Sequence, residues 1–330
     1  MKNIAGLLSI FVAGCVLVTS SCNKFLVEEL LGQRSNEQFY QTAEDAELGL
    51  TGIYNAISFA ESQNRIWVFG DVASDDAAKG GIPGDQADIG LIDDFNITTI
   101  NGNLENVWII YYEGVSRGES CCSSFPAGGR ESTRPCPGDP LRSSRGLRTR
   151  RRRRAETAPA GRATKYAAWG LLAKTYLFLK NWSEAENAAR QIMQSGHSLA
   201  NLYSDNFSLM SKDNPEAIFS VQHPPGQDPW LGTRLNQWFD TRSNNGYGFN
   251  APVQAFVDAF ETTSAGVVDP RLDYTVGRQG KIWYDTIPFD STWSPTGYLN
   301  RKYIQPISEV PVEGKADGEL NYQFMRYAEV

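Results

Sequence analysis

The stretch GRATKYAAWGLLAKTYLFLKNWSEAENAARQIMQSG, which runs from Gly161 to Gly196, decides the fold. Apolar residues recur at helical spacing on both sides of the segment NWSEA. The first helix is expected to begin near Arg162, and Ser183 is the expected N-cap of the second. The stretch therefore predicts two helices that are joined by a tight turn and pack against each other.

Six positions in this stretch match the offsets at which a tetratricopeptide unit places large, large, small, large, large and small residues. They are Trp169, Leu172, Ala173, Tyr176, Trp182 and Ala185. Small residues let two helices approach closely, and the rings fill the space around them. An unrelated helical hairpin is the alternative, and the six matched positions favour the repeat.

Two further helices are predicted nearer the N-terminus. Two capping boxes can form there, by Ser35 with Gln38 and by Thr42 with Asp45. The helix after Thr42 places four apolar residues on one face, namely Ala46, Leu50, Ile53 and Tyr54. A later helix covers Leu104 to Arg117, and its expected buried side carries Leu104, Trp108, Ile109 and Tyr112.

The region from His197 onward has a different character. Pro, Gly, Asn and Asp interrupt short apolar segments such as EAIFSVQ, which is an expected strand. The last segment, YQFMRYAEV, has the pattern of a beginning helix. The predicted fold class is mainly α, with tetratricopeptide-like helical pairs and a loop-rich region that contains a few short strands.

The first residues have the pattern of a secretory leader. Lys2 precedes an apolar run from Ile4 to Val18, which is too short for a membrane-spanning helix. A Cys directly after small residues, such as Cys22 in VTSSC, is typical of a bacterial lipoprotein. Cys15 in VAGC fits the same pattern, but cleavage there would leave an apolar mature start. We expect a signal peptide over residues 1–21 and a lipid on Cys22, and a plain secretory leader is the alternative.

Several segments in order resemble the SusD/RagB family, the surface glycan-binding lipoproteins of Bacteroidetes. Besides the helix pair, they are SSCNKFL, NEQFYQTAEDAELGLTGIYNAI, FGDVASDD, VWIIYYEGVSR, NPEAIFSVQ, DPRLDYTVGRQG, TGYLNRKY and FMRYAEV. The resemblance covers residues 18–117 and 161–330. Because the family continues beyond the segment RYAEV, the chain is expected to be truncated at its C-terminus.

The resemblance implies a non-enzymatic binder on the outer membrane, anchored by lipid and exposed at the cell surface. It would hand oligosaccharides or other nutrients to a SusC-like, TonB-dependent outer-membrane transporter. The expected organisation is a leader over 1–21, a helical part over 22–117, an unmatched segment over 118–160, a helix pair over 161–196 and a loop-rich ligand-binding part over 197–330.

The unmatched segment 118–160 has an unusual composition. It contains ten Arg against four acidic residues and lacks Lys, Ile, Val, Met, Asn, Gln, Tyr, Trp and His. Such a segment cannot repay its ordering entropy by burying apolar surface, which predicts disorder. We interpret it as a GC-rich reading frame shifted near Gly118 and restored near Gly161. A basic arm for polyanions is the alternative.

The stretch WLGTRLNQWFDTRSNNGYGFN offers both kinds of group that a sugar needs. Flat C–H faces of sugars stack on exposed rings, and hydroxyl groups need polar partners. The candidate platform is Trp230, Trp238 and Tyr247, with Arg242, Asn244 and Asn245 as polar partners. Packing in the core is the alternative for each ring.

Composition and motifs argue against other classes of protein. A net charge of −7 argues against a nucleic-acid binder. There is no Walker A loop, HExxH motif or dinucleotide fingerprint, and only two His are present. We therefore expect no catalytic residue, metal or cofactor. A surface glycoside hydrolase and a tetratricopeptide adaptor for protein partners remain as alternatives; Asp75–Asp76 and Asp93–Asp94 are sequence neighbours rather than opposed carboxylates.

Overall fold

The computed structural model describes residues 39–62, 66–124, 160–224, 226, 231–310 and 316–330. The leader with Cys15 and Cys22, the Ser35–Gln38 box, Trp230 and the arginine run lie outside these residues. The helices are α1 (Ala43–Ser62), α2 (Ala87–Asp93), α3 (Gly102–Ser124), α4 (Lys165–Phe178), α5 (Trp182–Met193), α6 (Leu235–Phe239), α7 (Gln254–Asp258) and α8 (Arg271–Thr275). The fold class predicted from the sequence, mainly helical with a few short strands, is confirmed.

The predicted helix pair is present as α4 and α5. The hydroxyl of Thr164 accepts hydrogen bonds from the first backbone N–H groups of α4, which fixes its beginning. The N-cap of α5 is Asn181, whose side chain accepts from the N–H of Glu184, so the assignment of Ser183 as the cap is wrong. Ser183 instead lies inside the first turn of the helix.

The packing of this pair follows the small and large positions of the sequence. Leu172, Tyr176 and Ala185 are buried together, and Trp169 packs against them. Trp182 departs from the pattern because 63% of it is exposed to solvent. The close approach of the two helices therefore depends on Ala185 and on the aliphatic residues rather than on this ring.

Helix α1 begins with the predicted capping box. The N–H of Thr42 donates to Oδ2 of Asp45 (2.9 Å), and the N–H of Asp45 donates to Oγ1 of Thr42 (3.1 Å). The reciprocal bonds satisfy two N–H groups that a helix leaves without a partner at its first turn.

Helix α3 packs on α1 with a different face from the one predicted. Leu104, Trp108, Ile109 and Tyr112 are exposed, between 37% and 61%. The contact is made through Gly114, where an added Cβ would lie 3.1 Å from the Cβ of Ala56. Nη1 of Arg117 also donates to the carbonyl of Gly52 (2.9 Å). Close backbone approach at a glycine thus decides the orientation of the helix, and the helix continues past Arg117 to Ser124.

The strands pair as four small antiparallel sheets. They are β1 (Ala77–Gly80) with β3 (Phe249–Pro252), β2 (Ala217–Val221) with β8 (Tyr322–Arg326), β4 (Val276–Gly277) with β7 (Leu299–Asn300), and β5 (Ile282–Tyr284) with β6 (Ile287–Pro288). The predicted strand EAIFSVQ is confirmed as β2. The C-terminal segment is a strand rather than the beginning of a helix, apart from a short 3-10 turn at Tyr327–Glu329. It pairs with β2, and its buried Met325 lies against Gly170 of α4.

The loop-rich part is built around aromatic clusters. The larger cluster joins residues near the N-terminus to distant ones, including Trp67, Trp238, Phe239 and Phe249. A second cluster contains Trp283, Tyr284, Phe289 and Leu299. Nε1 of Trp283 donates to the buried carboxylate of Asp240 (2.9 Å), which follows α6 directly and so links the two clusters.

Candidate functional site

The structure separates the predicted stacking residues. Trp238 is only 7% exposed and its ring lies edge-on to Trp67 at 5.5 Å between centroids. The expectation that Trp238 faces solvent is therefore wrong. Helix α6 points this side chain into the aromatic cluster, where it buries far more apolar area than a loop surface would allow.

Asn244 is also buried, so it is not available as a surface partner for a sugar. Its Nδ2 donates to Oδ2 of Asp240 (2.6 Å), while Oδ1 of Asp240 accepts from the N–H of Thr241 (2.7 Å). Burial is the main cause that raises the pKa of Tyr284 to about 12, and the negative charges of Asp240 and Asp285 add to this effect. These groups form an internal network that holds the loop after α6.

Three of the predicted residues do come together on the surface. The guanidinium of Arg242 lies 4.8 Å from the ring centre of Tyr247, and it pairs with the carboxylate of Asp85. Asn245 is exposed and follows the 3-10 turn of Arg242, in a left-handed backbone conformation with φ of 55°. We call Asp85, Arg242, Asn245 and Tyr247 the Arg242 surface.

A series of stacked aromatic rings lies behind the Arg242 surface and supports it. Tyr247 is stacked on Phe249 (5.4 Å, 15° between planes), and Phe249 is stacked on Trp67 (5.9 Å, 21°). The ring of Tyr247 thus already carries a guanidinium and a neighbouring ring. This ring therefore supports Arg242 and is not an open surface on which a sugar could stack.

Lys79 of β1 and Gly81, which follows this strand, place Asp85 next to these stacked rings. Nζ of Lys79 donates to the carbonyls of Ile82 (3.0 Å) and Asp85 (2.9 Å), which fixes the loop between them. Burial lowers the pKa of Lys79. Gly81 has a positive φ of 62°, and a Cβ there would lie 2.8 Å from the ring of Phe249. Only glycine allows the loop to cross so close to the aromatic rings.

Sequence reasoning missed Asp85 because it lies in the glycine-rich loop KGGIPGDQ, far from Arg242 along the chain. An acidic residue among glycines in a loop was the only signal available. The resulting arrangement presents a fixed guanidinium, a carboxylate and an amide around a tyrosine. These are donors and acceptors that can meet several sugar hydroxyl groups at once.

Two concavities among the described residues lie elsewhere, on the helical part. One of about 450 Å³ lies beside Glu47 and Arg162, and one of about 470 Å³ lies between α4, α5 and Met325. Among the described residues, no group of three His, Cys, Asp or Glu side chains could hold a metal ion. None of the described helices is long and apolar enough to cross a bilayer.

Known proteins that are similar to this chain share its fold. The model of the SusD family matches residues 213–330. No curated protein matches the chain. A SusD superfamily protein from Bacteroides vulgatus has a TM-score of 0.69 at 18% identity, over 88% of this chain and 74% of that one.

Two further solved structures are proteins whose ligands are known. A laminarin-binding SusD-like protein has a TM-score of 0.71 at 18% identity, over 88% of this chain and 79% of that one. Surface glycan-binding protein A from Bacteroides thetaiotaomicron, in complex with laminarihexaose, has a TM-score of 0.69 at 17% identity, over 88% and 77%. The resemblance to the SusD/RagB family is thereby confirmed, by sequence over residues 213–330 and by fold over most of the chain.

Proposed function

We propose that this chain is a surface glycan-binding lipoprotein that binds an oligosaccharide without cleaving it. The ligand site is the Arg242 surface, and the protein delivers its ligand to a SusC-like, TonB-dependent transporter of the outer membrane. The observation that carries the assignment is the guanidinium of Arg242, which Asp85 holds over Tyr247 at a rigid aromatic support. Trp230 remains a proposed additional stacking residue of the same site.

Family and structural likeness support this proposal. The solved relatives include proteins that bind laminarin and laminarihexaose, and their fold covers most of this chain. The lipid anchor on Cys22 and the position at the outer-membrane surface rest on the leader pattern and on the family. The helix pair α4–α5 supplies the rigid scaffold, since binding residues on loops need such a support.

The chemistry of the surface favours binding over hydrolysis. A glycosidase needs two carboxyl groups on opposite sides of the scissile bond, about 5–9 Å apart. Asp85 is engaged with Arg242, and Asp240 is buried within its network. Both carboxylates therefore hold other groups in place, and a sugar at the Arg242 surface would meet donors and acceptors without a general acid beside it.

The test is the affinity of the purified chain for laminarihexaose and for a panel of plant and host oligosaccharides, before and after Arg242→Ala. A hydrogen bond to a charged group contributes about 1.5–3 kcal/mol, so affinity should fall by roughly ten- to hundred-fold. Arg190→Ala is the matched control, because Arg190 is an exposed arginine that pairs only with Glu186 on its own helix among the described residues.

Equal affinity of the parent and Arg242→Ala for every glycan that binds would remove the Arg242 surface from the site. Release of shorter sugars would favour the hydrolase, and binding of peptides alone would favour the adaptor. The same measurement on intact cells tests the location, because a polysaccharide too large to cross the outer membrane binds only a surface protein. Cys22→Ser should abolish that cell-bound signal while the purified protein still binds.

A further inference from the structure

A second group of aromatic and charged side chains shares no residue with the Arg242 surface. The rings of Tyr203 and Phe207 meet edge to face (5.5 Å), and Tyr274 lies 6.2 Å from Tyr203. Tyr274 is 38% exposed, and the other two rings are half-buried. We call Asp71, Tyr203, Phe207, Tyr274 and Lys302 the Lys302 surface. Its members come from separate segments of the chain, so only the tertiary fold assembles them.

Two cations lie over the same pair of rings. Nζ of Lys302 is 5.9 Å from the centre of Tyr203 and 5.5 Å from that of Phe207. The guanidinium of Arg326 is 5.9 and 6.0 Å from the same two rings. Two positive charges beside one ring pair repel each other, so each needs an anion nearby.

The two cations differ in how their charge is compensated. Arg326 pairs with the buried carboxylate of Glu216 (3.3 Å). Lys302 has neither a carboxylate within ion-pair distance nor a hydrogen bond from Nζ among the residues that the structure describes. Its ammonium is therefore held by ring faces alone, although three donors remain on it.

Asp71 lies close enough to Lys302 to interact with its charge, but it compensates that charge only in part. Oδ2 of Asp71 accepts a hydrogen bond from Nδ2 of the buried Asn250 (2.7 Å). Burial raises the pKa of Asp71 above its usual value, while the bond from Asn250 and the charge of Lys302 act in the opposite direction. Asp71 and Lys302 thus interact through space without forming an ion pair. Arg271, whose charge also acts on Tyr203, is already paired with Asp269.

We propose that the Lys302 surface binds the anionic group of an acidic saccharide, either a uronate carboxylate or a sulfate ester, with the sugar ring against the exposed Tyr274. An anion would supply the charge-assisted hydrogen bonds that Lys302 lacks, and such bonds are about twice as strong as neutral ones. The rings provide the apolar contact that a free inorganic anion cannot use. This inference rests on the proposed role in glycan binding but not on the Arg242 surface.

The experiment measures the affinity of the full chain for hexagalacturonate, for a sulfated oligosaccharide of similar length and for neutral laminarihexaose, at low and at physiological salt. Lys302→Gln should weaken the binding of at least one acidic sugar by about ten-fold. Asp71→Asn should strengthen it several-fold, because a like charge near the bound anion is removed. Neither change should alter the affinity for laminarihexaose, which tests the Arg242 surface separately.

Lys281→Gln is the matched control, since Lys281 is an exposed lysine that is paired with Asp273. The uronate and the sulfated sugar identify which anionic group the surface takes.

Competition by inorganic sulfate at equal concentration would show that only the charge is recognised and would overturn the saccharide assignment. The proposal also fails if both acidic sugars bind no better than laminarihexaose, if Lys302→Gln changes nothing, or if Asp71→Asn weakens acidic binding. If the parent instead binds none of the neutral glycans in the panel used for the Arg242 surface, that result counts against the proposed function.

Discussion

The helix pair α4–α5 and the loop-rich part after Leu231 bury their side chains by different rules. In the pair, the buried residues are mainly small or aliphatic. Those of α5 recur at helical spacing, and the ion pair Arg190–Glu186 on the same helix is exposed and local. In the loop-rich part, buried aromatic rings share the interior with buried polar residues such as Asp240 and Asn250. Periodicity therefore reveals burial in α5, whereas long-range contacts decide it in the loop-rich part.

Two aromatic rings in the stretch from Trp238 to Tyr247 differ in burial, and this difference decides which of them can take part in a binding site. Trp238 and Tyr247 belong to the same set of rings around Trp67, but Trp238 lies inside the cluster and Tyr247 at its rim. The surface groups Arg242 and Asn245 sit on that rim. The proposed ligand-binding surface in this part of the chain thus borders the aromatic core, and the packed rings of the core support it.

The prediction with the largest expected effect tests whether the aromatic core stabilises the loop-rich part. Trp238→Ala should reduce the free energy of unfolding by about 3–5 kcal/mol, because it leaves a cavity where Trp67 has no neighbour on that side. Denaturant unfolding followed by circular dichroism measures the loss. Trp182→Ala, at a ring that is 63% exposed in the helix pair, is the control and should cost about 1 kcal/mol or less. Equal losses for the two tryptophans would contradict the contrast between the regions.

A smaller effect tests the helix pair, where local signals decide the structure. Asn181→Ala should reduce the free energy of unfolding by about 1 kcal/mol, because the N–H of Glu184 loses its acceptor at the beginning of α5. Ser183→Ala, within the first turn, should change it by less than about 0.5 kcal/mol. The reverse order of the two losses would restore Ser183 as the cap.

The smallest effect is confined to acidic pH and involves His197, which packs edge-on to Tyr166 of α4 at 5.7 Å. Burial lowers the pKa of His197 below its usual value near 6.5. The unfolded chain therefore binds a proton more readily, so the stabilising contribution is present above pH of about 6.5 and is lost as the pH falls below it. His197→Gln removes this dependence.

Unfolding curves of the parent and of His197→Gln, at several values between pH 5 and 8, measure this effect. The stability of the parent relative to the variant should decline as the solution becomes more acidic. A relative stability that stays constant over the whole range would mean that the imidazole is not desolvated in the folded protein.

The sequence by itself determined the helix pair α4–α5, the capping box at Thr42, the strand β2 and the resemblance to the SusD/RagB family. These follow from periodicity, caps and ordered motifs, which act over a few residues and do not depend on what lies across the fold. Only the tertiary structure decided which face of α3 is covered, because the approach of Gly114 to Ala56 is a contact between distant segments. The same holds for the strand β8, for the burial of Trp238 and for the pairing of Asp85 with Arg242. In each case the stabilising contact is made with a residue far along the chain, and the local sequence does not indicate which residue that is.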